Sequence, residues 1–388
     1  MPKTLTGLEI LLAERLDDYQ GRSLGLLANQ ASIGPGYRHA LSYLDEYLPN
    51  SVKTIFSPQH GFVGEKQDNM VESAHSQTPD GRPIYSLYGT SREPDPKTLQ
   101  DLDVLLIDLP DVGARVYTFA QTMSLCLEAA IGSGLEVVVL DRPNPIGGVE
   151  TEGNLLDDDC LSFVGRYPIP MRHGLTLGEL AIYINSRLKN PATLTVIPCR
   201  DWTRDQYFHD SKLPWVMPSP NMPTPETAWV YPGQVLWEGA NISEGRGTTR
   251  PFNLMGAPFI DPRLLTRELS QKTLPGVIFR EAWFQPTFHK WEGVFCGGID
   301  IHPIDRSFLP YLTSLTILEI ILKLWPENFR LKEPPYEYEF SKRPIDLILG
   351  RRKIFDDLAN GRTARDIWDT FASEQAKWRK ERQAFLLY

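Results

Sequence analysis

The stretch from Leu135 to Gly148, LEVVVLDRPNPIGG, constrains the fold more than any other part of the chain. It is an apolar, β-branched run that ends abruptly at Asp141, Arg142 and a turn rich in Pro, Asn and Gly. Such a run predicts a strand buried on both faces, as in parallel sheets that are covered by helices. We therefore expect Asp141 and Arg142 at the carboxyl end of this strand, where open parallel sheets bind their ligands.

Strand-like and helical patterns alternate through the first half of the chain. Besides the strand above, the sequence predicts strands at 24–28, 52–56, 104–109 and 194–198, and helices at 5–17, 38–47, 117–132 and 175–187. This alternation implies right-handed crossovers and a parallel sheet with helices on both faces. The predicted fold class is α/β, with a Rossmann-like parallel sheet forming an N-terminal domain over residues 1–230.

The composition of the sequence changes after about residue 200. Residues 202–231 are rich in Pro and aromatic residues, which predicts an irregular strap that is packed between domains, forms the wall of a binding site, or both. Beyond it are a strand-like segment CGGIDIHPID, an apolar helix at 311–325 and a charged helix at 363–385. These indicate a smaller α+β C-terminal domain, over 231–388, that completes a cleft.

Composition and charge exclude several classes of function. The 388 residues include 40 Lys and Arg against 49 Asp and Glu, and the resulting net charge of −9 disfavours nucleic acid and anionic membranes as partners. No window approaches the roughly 20 apolar residues of a membrane span, and charges appear before any apolar segment of signal-peptide length. We therefore expect a cytoplasmic protein without a membrane partner.

The motifs of common cofactors and metals are missing from the sequence. There is no G-x-G-x-x-G after the first strand, no G-x-x-x-x-G-K-[ST] and no G-x-S-x-G, which disfavours dinucleotides, triphosphates and an α/β-hydrolase nucleophile. The four Cys residues are far apart and H-E-x-x-H is absent, so neither a zinc site nor a disulfide framework is indicated. We expect no cofactor and no metal.

Polar residues collect at or just beyond the carboxyl ends of the predicted strands, namely Asn29, His60, Asp108, Asp111 and Arg142. One edge of the sheet should hold them, and we place the cleft there. Each of these residues could instead have a purely structural role. Asp108, Asp111 and Arg115 could simply cap the helix that starts near Tyr117, and Arg142 could pair only with Asp141. The planar fork of Arg142 nevertheless suits a carboxylate or sugar oxygens.

Further candidates lie in loops that would overhang the same edge. Glu65 lies in a polar loop after His60, Glu152 follows the Pro-Asn-Pro turn, and His173 precedes a helix; each could equally be a solvated loop residue, a surface carboxylate or a helix cap. In the second half, a Gly-rich polar turn contains Glu238, Ser243 and Arg246, although a plain tight turn would look identical. Carboxylates, Arg residues and aromatic walls without a cofactor are typical of carbohydrate chemistry.

Long segments of the chain resemble one enzyme family. They are SPQHGFVGE (57–65), YSLYG (85–89), DLPDVGARVYTF (108–119), VLDRPNPIGG (139–148), SFVGRYPIPMRHGLTLGELA (162–181), LPWVMPSPNMPT (213–224) and EGANISEGRGTTRPFNLMGAPF (238–259). Over nearly its whole length the chain is similar to the YbbC/NamZ-type exo-β-N-acetylmuramidases. The resemblance implies a Rossmann-like domain, a smaller C-terminal domain, and a glycoside hydrolase that releases β-linked N-acetylmuramic acid from the non-reducing ends of peptidoglycan fragments in cell-wall recycling.

The resemblance also implies which residues line the cleft, namely His60, Asp111, Arg115, Arg142, Asn144, Glu152, Arg172, His173, Asn221, Glu238, Ser243 and Arg246. Of these we take His60, Glu152 and Glu238, together with Glu65, as catalytic candidates, and the remainder as substrate-binding residues. Arg142 and Arg172 are expected to bind the lactyl carboxylate that distinguishes muramic acid from glucosamine.

One departure from the family pattern concerns the catalytic acid. Many relatives read P-E-H-G where this chain has Gln59, and that Glu is a proposed catalytic residue of the family. Gln cannot donate or accept a proton as a carboxyl group does. Either Glu65 takes the role, with Glu152 and Glu238 as competitors, or the chain binds a muropeptide without cleaving it. A hydrolase of another β-linked amino sugar is a further alternative.

Overall fold

The computed structural model describes residues 2–388, and its strands form three sheets. The strands are β1 Leu24–Ala28, β2 Val52–Ser57, β3 Ser76–Gln77, β4 Pro83–Ser86, β5 Val104–Asp108, β6 Glu136–Leu140, β7 Glu152–Leu155, β8 Pro170–Arg172, β9 Thr193–Ile197, β10 Leu254–Ala257, β11 Val277–Phe284 and β12 Cys296–Pro303. The largest sheet has the order β3-β4-β2-β1-β5-β6-β9 and is parallel except for β3. The predicted α/β class is confirmed.

The central strands are buried on both faces, as their apolar sequences predict. In β6, Val137 and Val139 face one apolar cluster, whereas Val138 and Leu140 face a second cluster on the other side of the sheet. All four side chains are fully buried. Because side chains alternate along a strand, a continuous apolar run is stable only where both faces are covered. The neighbouring strand β5 pairs in parallel register with β6, from Val104 opposite Glu136 to Ile107 opposite Val139.

Helices cover both faces of the large sheet and build most of the C-terminal part. The α-helices are Gly7–Ile10, Ala40–Tyr47, Pro96–Leu99, Thr118–Ala129, Leu177–Arg187, Phe208–Ser211, Pro225–Gln234, Pro262–Ser270, Pro310–Leu324, Pro344–Leu349, Arg352–Ala359, Ala364–Asp369 and Ala372–Glu381. The predicted first helix is α-helical only over Gly7–Ile10 and continues as a π-turn and a 3-10 turn. The charged C-terminal helix is interrupted at residues 370–371 and ends in a 3-10 turn.

The Pro-rich stretch at 202–231 is less irregular than its composition predicts. Its last part belongs to the helix Pro225–Gln234, because Thr224 caps that helix through its side-chain oxygen and Pro225 occupies the first turn. Proline is well tolerated there, since the first N–H groups of a helix have no partner within the helix. A 3-10 turn, Val235–Gly239, follows directly and carries Glu238. The predicted domain boundary at 230/231 falls inside this helix and stays a prediction.

The C-terminal part consists of the antiparallel sheet β10-β12-β11 and the remaining helices. One apolar cluster runs from the large sheet, through Leu105 and Val137, to Leu315 in the helix Pro310–Leu324 and Trp378 near the end of the chain. The two parts of the chain therefore share a core, and the surface between them is fixed by packing. None of the helices within residues 2–388 is long and apolar enough to cross a membrane.

Candidate active site

A polar cavity lies where the carboxyl end of β2 meets the C-terminal part of the chain. Its polar and aromatic lining comes from both parts and includes Gln59, His60, Asn69, Tyr117, Thr118, Ser219, Asn221, Tyr231, Glu238, Arg246, Tyr336 and Glu337. Four predicted site residues, His60, Asn221, Glu238 and Arg246, are thus brought together in one place. A concave site with convergent polar groups is the usual position of ligand binding in an enzyme.

Gln59 lies just beyond β2 and is held in one orientation. Its side-chain oxygen accepts a hydrogen bond from Thr118 Oγ1 at 2.6 Å, and its Nε2 donates to Glu337 Oε1 at 3.2 Å. Thr118 is the first residue of the helix Thr118–Ala129, so the amide is fixed between that helix and the C-terminal part. The amide oxygen therefore faces Thr118, and the amide nitrogen faces Glu337.

His60 is neutral and presents one nitrogen as an acceptor. Its backbone has the left-handed φ of 76°, and its Nδ1 lies 2.7 Å from the carbonyl oxygen of Lys66. A carbonyl only accepts hydrogen bonds, so Nδ1 carries the proton and Nε2 is unprotonated. Burial lowers the pKa of His60 to about 4. At neutral pH, His60 is therefore suited to accept a hydrogen bond.

Glu238 is a carboxyl group paired with the guanidinium of Arg246. Arg246 Nη2 donates to its Oε1 at 2.7 Å, while Tyr336 and Asn69 donate to its Oε2 at 2.7 and 3.1 Å. Burial alone would lower the pKa of Arg246, but Glu238 and Glu244 outweigh that effect and raise it. The Arg246 Nη1 atom is buried without a hydrogen-bond partner. Nη1 lies 3.8 Å from Asp68 Oδ1, which is beyond hydrogen-bond distance, so this donor of the guanidinium can bind a ligand.

A second ion cluster supports Arg246 from behind. Glu244 Oε1 lies 3.0 Å from Arg246 Nε, and Glu244 Oε2 lies 2.6 Å from Lys290 Nζ. Burial opposes ionisation of Glu244, but Lys290, His289 and Arg246 outweigh it and lower its pKa. Lys290 also donates to the carbonyl oxygens of Trp237 and Ile242. This cluster fixes both the charge and the position of the guanidinium.

Glu337 is a cavity residue that the sequence does not indicate. Tyr88 donates to its Oε2 at 2.6 Å, and its backbone adopts the left-handed φ of 46°. Burial raises the pKa of Glu337 to about 7, although the hydrogen bond from Tyr88 opposes this. The local sequence signal is an acidic residue between two Tyr residues after Pro334-Pro335, a pattern that does not by itself point to a site.

Three other predicted site residues make buried structural contacts away from the cavity. Arg115 donates to the carbonyl oxygens of Asn154, Ile169 and Ile348, and burial lowers its pKa to about 10. Arg172 lies 3.0 Å from Glu152, and both side chains are fully buried. The structure does not bring Arg115, Glu152 or Arg172 to the cavity lining.

The contacts of Glu152 and Arg172 are completed by neighbouring groups. The second carboxylate oxygen of Glu152 accepts from the backbone N–H of Tyr311 at 3.1 Å. Arg172 also donates to Ile146 O and to the hydroxyl of Tyr207. Burial raises the pKa of Glu152 to about 7, although Arg172 opposes this. These contacts give Glu152 and Arg172 the geometry of a structural ion pair.

Arg142 and Asp111 line a separate pocket, next to Trp215 and Phe208, at the edge of the large sheet. Arg142 Nε and Nη2 contact the two carboxylate oxygens of Asp108 at 2.6 and 2.8 Å. The expected alternative of a pair between Arg142 and Asp141 is therefore wrong. Asp141 instead accepts from Thr176 Oγ1, the Gly178 N–H and the Tyr388 hydroxyl.

The capping alternatives at this edge are also wrong. The helix Thr118–Ala129 has no side-chain cap, and the helix Leu177–Arg187 is capped by Thr176 and not by His173. Asp111 accepts from the Gly113 N–H, and its carboxylate lies 3.6 Å from His173 Nε2. The buried Nε2 of His173 has no hydrogen-bond partner. Asp111 and His173 are thus neighbours, but they lie outside the cavity lining.

The remaining predicted residues hold turns or face solvent. Asn144 accepts from the Ile146 N–H and donates to Leu175 O, and Ser243 accepts from the Gly245 N–H. Glu65 is exposed and does not line the cavity. Within residues 2–388, no group of three or more His, Cys, Asp or Glu side chains is arranged to hold a metal ion.

Comparison with known proteins identifies the family. The model of the N-terminal domain of the exo-β-N-acetylmuramidase NamZ matches residues 24–226, and that of its C-terminal domain matches residues 229–388. The chain belongs to the NamZ exo-β-N-acetylmuramidase family. It is 39% identical, over all 388 residues and 92% of the relative, to the peptidoglycan β-N-acetylmuramidase NamZ of Bacillus subtilis (strain 168).

Two solved structures extend the NamZ comparison to the fold. Both are DUF1343 family proteins of Bacteroides fragilis NCTC 9343, at 29% and 26% identity, with TM-scores of 0.89 and 0.78. Each comparison covers all of this chain and 99% of the solved one. The cavity of this NamZ-family member takes its walls from both matched domains: Gln59 and His60 come from the first, and Glu238, Arg246 and Glu337 from the second.

Proposed function

We propose that this chain hydrolyses the β-glycosidic bond of N-acetylmuramic acid at the non-reducing ends of peptidoglycan fragments. The observation that supports this most is the match of both NamZ domains over almost the whole chain, together with a cavity at their meeting point that holds two buried carboxyl groups. Hydrolysis of a glycosidic bond needs carboxyl groups and no cofactor. We also propose that the enzyme acts in the cytoplasm, in cell-wall recycling; fractionation of the native host tests that location.

We propose Arg246 as the residue that binds the lactyl carboxylate of the sugar. Its buried Nη1 has no hydrogen-bond partner and lies 3.8 Å from Asp68 Oδ1, while its Nη2 donates to Glu238. Arg142 and Arg172, which the sequence suggested, do not line this cavity and are paired with Asp108 and Glu152. A charge-assisted hydrogen bond from Arg246 would favour muramic acid over glucosamine by about 1.5–3 kcal/mol, or roughly 10- to 150-fold.

The test compares release of a chromophore from an aryl β-N-acetylmuramide and from the matching β-N-acetylglucosaminide, which lacks the lactyl ether. The wild type should cleave the muramide with the higher kcat/KM. In Arg246→Lys the ratio of the two kcat/KM values should fall at least 10-fold, since lysine keeps the charge that Glu238 needs but loses the planar fork. Arg250→Lys, which alters a partly exposed Arg four residues away, is the matched control.

Three outcomes would contradict parts of this proposal. A folded wild type that binds N-acetylmuramic acid but cleaves neither substrate would support a binding protein. Faster cleavage of the glucosaminide would indicate a hydrolase of another β-linked amino sugar. If Arg142→Lys or Arg172→Lys lowers the ratio, and Arg246→Lys does not, the assignment to Arg246 is wrong.

A further inference from the structure

We propose that Glu337 is the general acid of the hydrolysis and that Gln59 positions it from the opposite wall of the cavity. The inference rests on the proposed function and names the proton donor of that reaction. Glu337 and Gln59 are separated by 278 residues in sequence, yet Gln59 Nε2 donates to Glu337 Oε1 at 3.2 Å. The carboxyl group of Glu337 is therefore adjacent to position 59, which in this chain is occupied by the amide of Gln59.

The contacts of Glu337 distinguish it from every other carboxyl group considered for this role. Glu238 accepts from the guanidinium of Arg246, and Glu152 accepts from that of Arg172, so each is paired with a cation, and Glu152 also lies outside the cavity lining. Glu337 has no cation among its hydrogen-bond partners, which are the Tyr88 hydroxyl and the Gln59 amide. Glu65 is exposed. A general acid must hold its proton until reaction, and that requires a buried carboxyl group without a paired cation.

The charged and titratable groups facing Glu337 act in both directions. They are Tyr88, Tyr231, Glu238, Arg246, Tyr336 and Tyr338. Burial is the largest influence and raises the pKa of Glu337 to about 7; Glu238 also raises it, whereas Tyr88, Gln59 and Arg246 lower it. A proton donor with a pKa near the pH of the reaction is the most effective general acid. In other glycosidases, two carboxyl groups in different environments divide the acid and base roles in this way.

The backbone gives independent support. Glu337 and Tyr338 both adopt left-handed φ values, 46° and 65°. Residues with bulky side chains rarely adopt this conformation, which costs of order 1–3 kcal/mol and clusters at active sites. Here it places the Glu337 carboxyl in the cavity wall, between the hydroxyl of Tyr88 and the amide of Gln59.

In the proposed step, the carboxyl group of Glu337 donates its proton to the glycosidic oxygen. The C1–O bond breaks, its electron pair stays on that oxygen, and the leaving saccharide departs as a neutral alcohol. Water supplies the hydroxyl group at C1, and its remaining proton restores the carboxyl group of Glu337. Each carboxyl oxygen has a second lone-pair direction, so Glu337 can make these transfers while it keeps its contacts with Tyr88 and Gln59.

The test uses leaving groups of different acidity on the full-length enzyme. In Glu337→Gln, kcat/KM for a disaccharide with N-acetylmuramic acid at its non-reducing end should fall about 10²- to 10⁴-fold, since a sugar alkoxide needs protonation to leave. For 2,4-dinitrophenyl β-N-acetylmuramide the fall should be less than about 10-fold, because that leaving group is stable as an anion. Glu333→Gln, on the exposed part of the same loop, is the matched control.

The pH profile provides a second readout. Wild-type kcat/KM on the disaccharide should decline as pH rises through about 7, because the active form has Glu337 protonated. Glu337→Gln should lack this decline. If Glu337→Gln does not fold, Glu337→Asp keeps an ionisable group with a shorter reach, and its loss should again depend on the leaving group.

The outcomes separate this inference from the proposed function. Equal losses on both substrates would show that Glu337 is structural, and an unchanged rate on the disaccharide would exclude it as the acid. Either result refutes the inference while the wild type remains a muramidase. A wild type that cleaves neither substrate refutes the proposed function instead, and with it this step.

Discussion

The substitution Glu152→Gln tests whether the role of Glu152 is structural or catalytic. Glu152 pairs with Arg172 at 3.0 Å in a place where neither side chain is exposed, and it also accepts from the N–H of Tyr311. The substitution keeps the volume and one acceptor. Above about pH 7, where Glu152 is ionised, it also removes the negative charge, so Arg172 becomes a buried cation without a counter-ion. Breaking a buried pair in this way costs about 3–5 kcal/mol.

The predicted loss can be converted into a melting temperature. At about 2.1 cal/mol/K per residue, the entropy of unfolding of 388 residues is roughly 0.8 kcal/mol/K, so the melting temperature should fall by about 4–6 °C. Urea unfolding followed by Trp fluorescence measures the same loss near 25 °C. The control is Glu150→Gln, an exposed carboxylate two residues earlier, which should change stability by less than about 0.5 kcal/mol.

Activity decides between the two roles of Glu152. In the folded variant, kcat/KM on the aryl muramide should stay within about 10-fold of the wild type, because Glu152 does not line the cavity. A variant with wild-type stability and a loss of more than about 100-fold in kcat would refute this reasoning. That result would indicate that Glu152 is the catalytic acid, which is one of the alternatives that the sequence suggested.

Two further predictions concern ionisation. In Gln59→Glu, a second carboxyl group would lie about 3.2 Å from Glu337 Oε1, so the two groups would share a proton. The decline of kcat/KM at alkaline pH should therefore shift to higher pH by about one unit or more. A decline at the same pH as in the wild type would contradict this contact. Asp141 has a pKa raised to about 6 by burial, so the folded state holds its proton more tightly than the unfolded chain, and stability is lost as pH rises from about 4 to 6. Urea unfolding at several pH values should show that the free energy of unfolding of Asp141→Asn lacks this decrease, which is on the order of 2–3 kcal/mol. If the variant loses as much stability as the wild type over this pH range, Asp141 does not titrate there.

The large sheet was predictable because its signal is local. Val137–Leu140 form a continuous apolar run, and only burial on both faces accommodates it. The charged C-terminal segment and the stretch at 202–231 were harder to predict, because a helix end depends on one cap or one turn. Thr224 and Pro225 begin a helix inside a segment whose composition indicates a loop.

The candidate site was only partly predictable for a different reason. His60, Asn221, Glu238 and Arg246 lie in motifs of the family, and the structure brings them together. Sequence cannot tell a guanidinium that lines the cavity from one that is paired with buried groups elsewhere, which is why Arg115 and Arg172 looked equally suitable. Glu337 was missed because its partner Gln59 is 278 residues away, and no local pattern reports such a contact.

The hydrogen bond between Gln59 and Glu337 also bears on how inactive relatives are recognised. A substitution at one wall of a cavity is commonly taken as loss of the reaction when the replaced residue was acidic. Here the opposite wall presents a carboxyl group at hydrogen-bond distance from the substituted side chain. Whether such a site can donate a proton depends on both facing positions, 59 and 337. Both should therefore be compared before a member of this family is regarded as inactive.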